Sequence, residues 1–580
     1  MSKLAPAIEL TSPRFFDLDD DDVLVDEEAR IDISLPKPRH IKDSVHDYIT
    51  IADPMVQAFI DSPQIQRLRY IKQLGTAYFV WPGASHNRFE HSLGVCHLAG
   101  LLVERLRTEQ PYLGIDDRDV RCVQLAGLCH DLGHGPFSHV WDGLFMPEAT
   151  GEPWAHEAGS EMMLDYLVED NQIDVPEKDV TFVKALIAGD SERCPYEKKF
   201  LFQVVANKLN GIDVDKFDYM QRDSHCLGIS CPVDVHRYAI YLEHKRMVAQ
   251  SHNSIIGSSR VIANTICYSN KDAYNIYELF YSRYSLHKRI YNHKAAVAIE
   301  HMIVDALVKA DPVLKLVEQT RDPRRYLYLT DSVVQEVEKS IDPALEESRE
   351  IIRRLRVRDL YKIVDYVILP SNWHDIWKRT GRLTPESIVR QAREEQLDEE
   401  ERLQPQDLII TWSVLHFGSK EQDPIRSVRF YSWQSPHKAY RARKDWISQV
   451  TADQWQEVLV RCIVRDPRHV GPGLIRMPVA PTASSSQAPS PMLLASSGAA
   501  VPGLGISAIL PPPAFPGTPG PPTREQTPNP FTTVHSKFAI QSPMESPIRR
   551  RKRDDMNGDP SASLQSTPLK KARVNGFHGA

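Results

Sequence analysis

RFEHSLGVCHLAGLLVERL (residues 88–106) and VRCVQLAGLCHDLGHGPF (residues 120–137) decide the fold of this 580-residue chain. In the first, Leu98, Leu101, Leu102 and Leu106 recur at helical spacing. In the second the apolar pattern runs on until Gly133, Gly135 and Pro136 break it. Each helix carries polar side chains inside its apolar pattern: His91 in one, the adjacent pair His130-Asp131 in the other. The residues before that pair, LAGLC, are small and apolar, so the helix is expected to be buried. Burying two polar side chains without a partner is costly, and metal coordination removes the cost. A third segment, NGIDVDKFDYMQRD (residues 210–223), supplies Asp215 near a helix start. Two imidazoles and two carboxylates grip one divalent metal and leave positions for water or a phosphate oxygen, as metal-assisted phosphoester hydrolysis requires. Such a mixed donor set suits Fe, Mn, Zn or Mg alike.

Two further groups surround these ligands. His134, His139 and Asp142 follow the metal pair in a turn-rich segment, and His156 comes shortly after. Imidazoles beside a metal move protons at neutral pH, and a carboxylate such as Asp142 orients an imidazole and raises its basicity. Arg88, Lys216 and Arg283, the last with His287, are cations whose convergence on a metal points to a polyphosphate substrate. There is no Walker A loop and no GxGxxG after a strand, so a P-loop or Rossmann nucleotide site is not supported.

Outward from this core, residues 1–37 read as a disordered acidic segment around the run Asp17 to Asp22. Residues 38–400 read as a helical core, with further helices expected at Phe182–Ala188, Phe202–Leu209, Lys271–Tyr291, Ala295–Ala310 and Arg349–Tyr366. Residues 401–470 read as a smaller α+β lobe. There LIITWSVLHFG and SVRFYSW are taken as two strands of one small sheet, and TADQWQEVLVRCIV as a closing helix. The fold class is therefore mainly α. Residues 471–580 hold 19 of the 42 prolines and no sustained periodicity, and read as a disordered tail. That tail carries 11 Lys and Arg against 5 Asp and Glu. The remainder of a chain of net charge -7 is thus strongly acidic, and the tail is expected to have its own partner.

Hydrophobic content of 42% allows a substantial core. No run of 18 apolar residues exists, so no membrane span is expected, and the N-terminus lacks the pattern of a secretory signal. Eight scattered cysteines without a CxxC pair read as reduced, mostly buried thiols.

The chain resembles the HD-domain deoxynucleoside triphosphate triphosphohydrolases, most closely the eukaryotic type that joins a SAM and an HD domain. The likeness is densest in SPQIQRLRYIKQLGTAYFVWPGASHNRFEHSLGV, LAGLCHDLGHGPFSHVWDG, VVANKLNGIDVDKFDYMQRD and YSLHKRIYNHK. No segment resembles the SAM domain. The resemblance implies an all-α HD core that converts a dNTP and water to deoxynucleoside and inorganic triphosphate. It implies His91, His130, Asp131 and Asp215 as metal ligands, and His134, Asp142 and His156 as catalytic neighbours. His139 would donate the proton to the leaving 5′-oxygen. Arg88, Lys216, Tyr219 and Arg283 would hold the triphosphate. Gln73, Leu74, Asp223, His287 and Tyr291 would shape the sugar and base pocket, with Leu74 and Tyr291 crowding the sugar 2′ position against ribonucleotides. It further implies activation by nucleotides that join subunits into a homodimer or homotetramer. Arg39, Asp61, Gln66 and Arg69 match a guanine-nucleotide (GTP) activator site. Arg237, Lys271, Asn275, Arg289, His293 and Lys294 match a dNTP activator site, in which Ser269 stands where the family has an arginine.

In the tail, Arg549 to Arg553 and Lys570-Lys571-Ala572-Arg573 form two basic clusters at bipartite-like spacing, which points to importin and a nuclear location, alongside the cytoplasm. Ser546-Pro547 and Thr567-Pro568 match sites of a proline-directed kinase, whose phosphate would offset the adjacent charge. Two other readings remain open: an HD phosphohydrolase acting on a different nucleotide, and a single-stranded nucleic-acid binder whose HD site is secondary.

Overall fold

Helix ends, more than helix bodies, organise this molecule. The computed structural model describes residues 37–233, 255–370, 383–394 and 403–466. The acidic run near the N-terminus, Arg237 and the whole basic tail lie outside the described residues.

The described chain opens with an antiparallel hairpin, β1 (Arg39–Asp43) and β2 (Asp47–Ile51). Two short helices follow, α1 (Pro54–Ile60) and α2 (Pro63–Arg67), each with Pro in its first turn behind a capping Asp53 or Ser62. Helix α3 (Arg88–Glu109) starts in a capping box between Asn87 and Glu90, and α4 (Asp117–Cys129) in one between Asp116 and Asp119. The two pack along each other, and α3 also packs on α8 (Val214–Leu227). Because α3 is buried nearly all round, Leu93, Val95, Cys96, Leu98, Leu102 and Leu106 all enter the core.

Between α4 and α8 run a π-helical turn (Trp141–Phe145), α5 (Met146–Thr150), α6 (His156–Asp170) and α7 (Glu177–Ile187). Downstream come the hairpin β3 (Arg260–Ile262) and β4 (Thr265–Ser269), then α9 (Ala273–Leu286), which runs through a π-turn to Tyr291. The long α10 (Lys294–Leu314) leads to the short helices α11 (Leu316–Arg321), α12 (Pro323–Tyr326), α13 (Val333–Lys339) and α14 (Glu346–Arg356). Strand β5 (Lys362–Pro370), the helix Pro385–Glu394, β6 (Leu408–His416), β7 (Phe430–Ser432), β8 (Ser435–Tyr440) and β9 (Gln456–Val464) complete it. Among the described residues no helix is long and apolar enough to cross a membrane. All eight cysteines are free thiols, and five of them are buried.

The mainly helical HD core with a smaller sheet-containing C-terminal part is as the sequence predicts, but four elements differ. The expected closing helix is a strand: β9 lies between β5 and β6, antiparallel to both. Its residues from Val458 to Val464 are buried on both faces, so the apolar run lacks the alternation that marks a half-exposed strand. The helix expected over Arg349–Tyr366 stops at Arg356. The chain turns at Arg358 (φ 64°), and the β-branched run KIVDYVIL becomes β5. The helix expected over Phe202–Leu209 is only a 3₁₀ turn at Lys199–Gln203. Asn207 Oδ1 accepts from the N–H groups of Leu209 (3.0 Å) and Asn210 (3.4 Å), offering the backbone a local alternative to the helix. Finally, β6 and β7 belong to different sheets: β7 pairs in parallel with β4 in the order β3-β4-β7-β8. Neither hairpin, β1-β2 nor β3-β4, is anticipated by periodicity.

Candidate active site

His91 sits in the first turn of α3, Asp215 in the first turn of α8, and His130-Asp131 directly after α4. Three helix ends therefore bring the four side chains together. His91 Nε2 lies 3.2 Å from Asp215 Oδ1 and 3.6 Å from Asp131 Oδ2. His130 Nε2 lies 3.3 Å from Asp131 Oδ1 and 3.6 Å from Asp215 Oδ1. Ligands about 2.1 Å from one ion sit about 3.0–3.4 Å from each other, so these spacings fit a shared metal. The ring orientations agree. His91 Nδ1 donates to Asp218 Oδ2 (2.7 Å) and His130 Nδ1 to the Gly127 carbonyl (2.8 Å), which leaves both Nε2 atoms facing the carboxylates. His130 Nε2 is buried and makes no hydrogen bond. Burial opposes a charged ring at His91, yet Asp215 and Asp218 raise it to about 10. Burial likewise opposes ionisation of Asp131, but Arg88 and the neighbouring imidazoles hold its carboxyl well below the ordinary range. The pocket is thus built to contain positive charge, and its donors fit a divalent cation.

His134, His139, Asp142 and His156 form the second cluster, their ligating atoms all within 4.8 Å of one another. His134 and His156 stack with ring centroids 4.0 Å apart. His156 Nδ1 donates to Asp142 Oδ2 (2.7 Å), and His139 Nδ1 lies 3.5 Å from the same oxygen. Burial, then Arg88 and His156, keep His134 neutral, well below the ordinary imidazole range. His156 is raised by Asp142 against the effect of burial. His139 alone is well exposed, at 73% of its side chain, and so faces whatever enters from solvent.

The residues expected to contact the triphosphate and sugar are mostly engaged with protein partners. Arg88 is buried and occupied: Nη1 donates to Asp131 Oδ2 (2.5 Å) and Nε to Ser138 Oγ (2.8 Å). Lys216 leans on Asp213 (3.0 Å), and Tyr219 is pushed up to about 12 by burial. Arg283 Nη1 donates to the carbonyl of His416 at the end of β6 (2.7 Å). Tyr291 donates to Asp223 Oδ2 (2.6 Å), whose other oxygen is 2.7 Å from His86 Nε2, and His287 stands edge-on to Tyr291. Burial and Arg283 lower His287 to about 3. Gln73 and Leu74 lead into the 3₁₀ turn Gly75–Phe79.

Those of the expected activator residues that lie among the described residues sit on several elements. Arg39 is paired bidentately with Asp61 (2.7 Å each), and Arg69 Nε donates to Gln66 Oε1 (2.7 Å). Lys271 and Asn275 lie at the start of α9, Arg289 in the π-turn after it, and His293 and Lys294 at the start of α10, where His293 Nδ1 caps the Ala295 N–H (3.3 Å). Ser269 is buried and caps Lys271 N–H.

Several site residues escaped the sequence reading: Asp218, His46, Arg222, Ser138, Asp331 and His416. Asp218 and Arg222 had a signal, since they follow Asp215 by three and seven positions on one helix face. The others are joined only through the fold.

Comparison with known proteins adds identity to this geometry. The HD domain family matches residues 88–223. The human deoxynucleoside triphosphate triphosphohydrolase SAMHD1 is 39% identical over 461 residues, 74% of this chain and 71% of that protein. The SAMHD1 homolog of Dictyostelium discoideum is 38% identical over 426 residues, covering 73% and 77%. A putative HD domain-containing protein of Acanthamoeba polyphaga mimivirus is 31% identical over 347 residues, covering 55% and 71%.

Proposed function

This chain belongs to the HD-domain deoxynucleoside triphosphate triphosphohydrolases, and we infer that it hydrolyses dNTPs to deoxynucleoside and inorganic triphosphate at the centre just described. The observation that carries this reading is the meeting of two His and two Asp donors beside a solvent-facing imidazole backed by a carboxylate.

We assign His91, His130, Asp131 and Asp215 as the residues that hold the metal. A divalent ion bound there supplies Lewis-acid polarisation and a water nucleophile at neutral pH. The other tasks fall to side chains. Arg88 keeps Asp131 ionised and aimed. Lys216 and Arg283 offset the charge of the triphosphate, with Tyr219 beside them. The bond between the α-phosphorus and the 5′-oxygen breaks, and His139 delivers the proton that the departing alkoxide needs. Asp142, 3.5 Å from His139 Nδ1 and 2.7 Å from His156 Nδ1, orients that imidazole and shares its positive charge. Leu74 and Tyr291 form the wall that excludes a 2′-hydroxyl, with Asp223, His287 and Gln73 around the nucleoside. His134 stays neutral, stacked behind His156.

Regulation follows the same line. GTP at Arg39, Asp61, Gln66 and Arg69 and a dNTP near Lys271, Asn275, Arg289, His293 and Lys294 would assemble subunits into dimers or tetramers. A nuclear location through the basic tail would put the activity where dNTP pools serve DNA synthesis.

The test is product analysis with Mn or Mg, dGTP and a GTP supplement, comparing the wild type with a His130→Ala, Asp131→Ala double variant. Deoxyguanosine plus intact triphosphate from the wild type alone is expected. No product under any nucleotide mixture would sink the reading.

A further inference from the structure

Phe137 and Ser138 both stand in left-handed backbone conformation (φ 59° and 60°), immediately before His139. Two successive residues with side chains rarely adopt it, and such turns persist only where their surroundings over-determine them. Here the surroundings are explicit. Phe137 N–H donates to Asp331 Oδ1 (2.7 Å). Ser138 Oγ donates to the Lys72 carbonyl (2.7 Å) and accepts from Arg88 Nε (2.8 Å). The second oxygen of Asp331 accepts from Lys72 N–H (2.9 Å), and the Asp331 N–H donates to the Tyr70 carbonyl (3.3 Å). One carboxylate therefore ties the loop of Tyr70 to Gly75 to the turn that precedes His139. The two loops touch backbone to backbone: at Gly75 (φ 47°) an added Cβ would lie 2.4 Å from the Phe137 carbonyl oxygen. Neither Asp331 nor any residue beside it is a metal donor. It sits 194 positions from Phe137 and 259 from Lys72.

We propose that Asp331 is a positioning residue that holds the Gln73–Leu74 segment, which carries the Leu74 side of the 2′ wall, and the His139 turn in one register, so that sugar discrimination and proton delivery depend on a single clamp. The proposal rests on the dNTP hydrolase reading above. With the carboxylate gone, the Lys72 and Phe137 N–H groups lose a shared acceptor. The strained turn is then free to relax, moving His139, and the Leu74 loop loses the tether that makes it an unyielding wall.

The test uses the full-length chain with Mn and GTP, and measures triphosphate release from dATP and from ATP. Wild type is compared with Asp331→Ala and with the near-isosteric Asp331→Asn, whose amide accepts from only one of the two loops. The expected result for Asp331→Ala is a kcat on dATP at least tenfold lower, with the dATP-over-ATP ratio of kcat/KM narrowed at least tenfold. Asp331→Asn, which preserves volume and keeps the test open if the alanine variant fails to fold, should move both quantities the same way by less. If turnover falls only in proportion to the folded fraction and the ratio is unchanged, Asp331 serves stability alone and the proposal is overturned. If wild type releases no triphosphate from dATP, the underlying hydrolase reading fails, and the clamp proposal falls with it.

Discussion

Asp218 is fully buried behind His91 and takes four hydrogen bonds. Oδ2 accepts from His91 Nδ1 (2.7 Å) and Arg222 Nε (2.8 Å), and Oδ1 from His46 Nε2 (2.5 Å) and Arg222 Nη2 (2.9 Å). Arg222 is in turn held by Asp43 (2.9 Å). A carboxylate behind a ligating histidine fixes its ring and raises its basicity, typically worth about 10–100-fold in metal affinity. Asp218→Asn is therefore expected to weaken Mn binding by roughly that factor, read by metal titration of the folded protein. Unchanged affinity would mean that Asp218 does not tune the His91 ring as a ligand. His86 makes stability depend on pH. Burial works against a charged His86, but its bond to Asp223 prevails and raises it from 6.5 to about 9. A histidine raised in the folded state adds stability that is complete below its unfolded pKa and lost as pH climbs through the folded one. Between pH 6.5 and 9 the wild type should lose stability on the order of 1–3 kcal/mol from this group. His86→Gln should flatten that part of the profile in thermal unfolding, and an equal slope in both proteins would count against the pairing. The grouping of His91, His130, Asp131 and Asp215, which the fold brings together, was legible from polar side chains inside two apolar helices and an aspartate near the start of a third. Asp331 was not, because no periodicity links it to partners 194 and 259 positions away.

Among the elements, the join between α4 and α6 sets how the two histidine clusters face each other. Gly133 makes it possible. A Cβ there would meet His156 O at 2.0 Å, Ser160 N at 2.2 Å and Gly159 C at 2.4 Å, all backbone atoms that cannot swing aside. The Gly133 N–H donates to Ser160 Oγ (2.9 Å), and its carbonyl accepts from Tyr326 (2.8 Å). Gly133→Ala must push α6, and His156 with it, away from the metal pair. A loss of about 3 kcal/mol is expected in denaturant unfolding, together with reduced turnover. Wild-type stability in that variant would contradict the packing argument. The sequence marked this glycine as a helix breaker but gave no sign of its neighbour. The same limit explains the elements that were misread. Helices α3, α4, α9 and α10 announce themselves through spacing and caps. Strand β9, flanked by β5 and β6 and buried on both faces, shows only an apolar run that a buried helix shares.

For the molecule as a whole, three arginines are among the contacts that join the C-terminal part to the helical core. Arg283 reaches the His416 carbonyl (2.7 Å), Arg461 the Asn292 carbonyl (2.5 Å), and Arg465 the Asp305 carboxylate (2.7 Å). One of these, Arg283, is also a cation proposed to meet the triphosphate, and on that proposal the sheet-bearing part would bear on the site through the residue it holds. The HD signature was legible at this scale, whereas the union of the sheets with the core was not, since β7 completes a sheet begun by β3 and β4 more than 150 residues earlier in the chain. In the proposed reaction water attacks the α-phosphorus of a dNTP and the 5′-oxygen leaves with the nucleoside. The decisive measurement is turnover of dGTP in ¹⁸O-water, followed by mass spectrometry of the products. Unlabelled deoxyguanosine and triphosphate carrying the solvent oxygen are expected. Deoxyguanosine monophosphate with pyrophosphate, or label in the nucleoside, would contradict it.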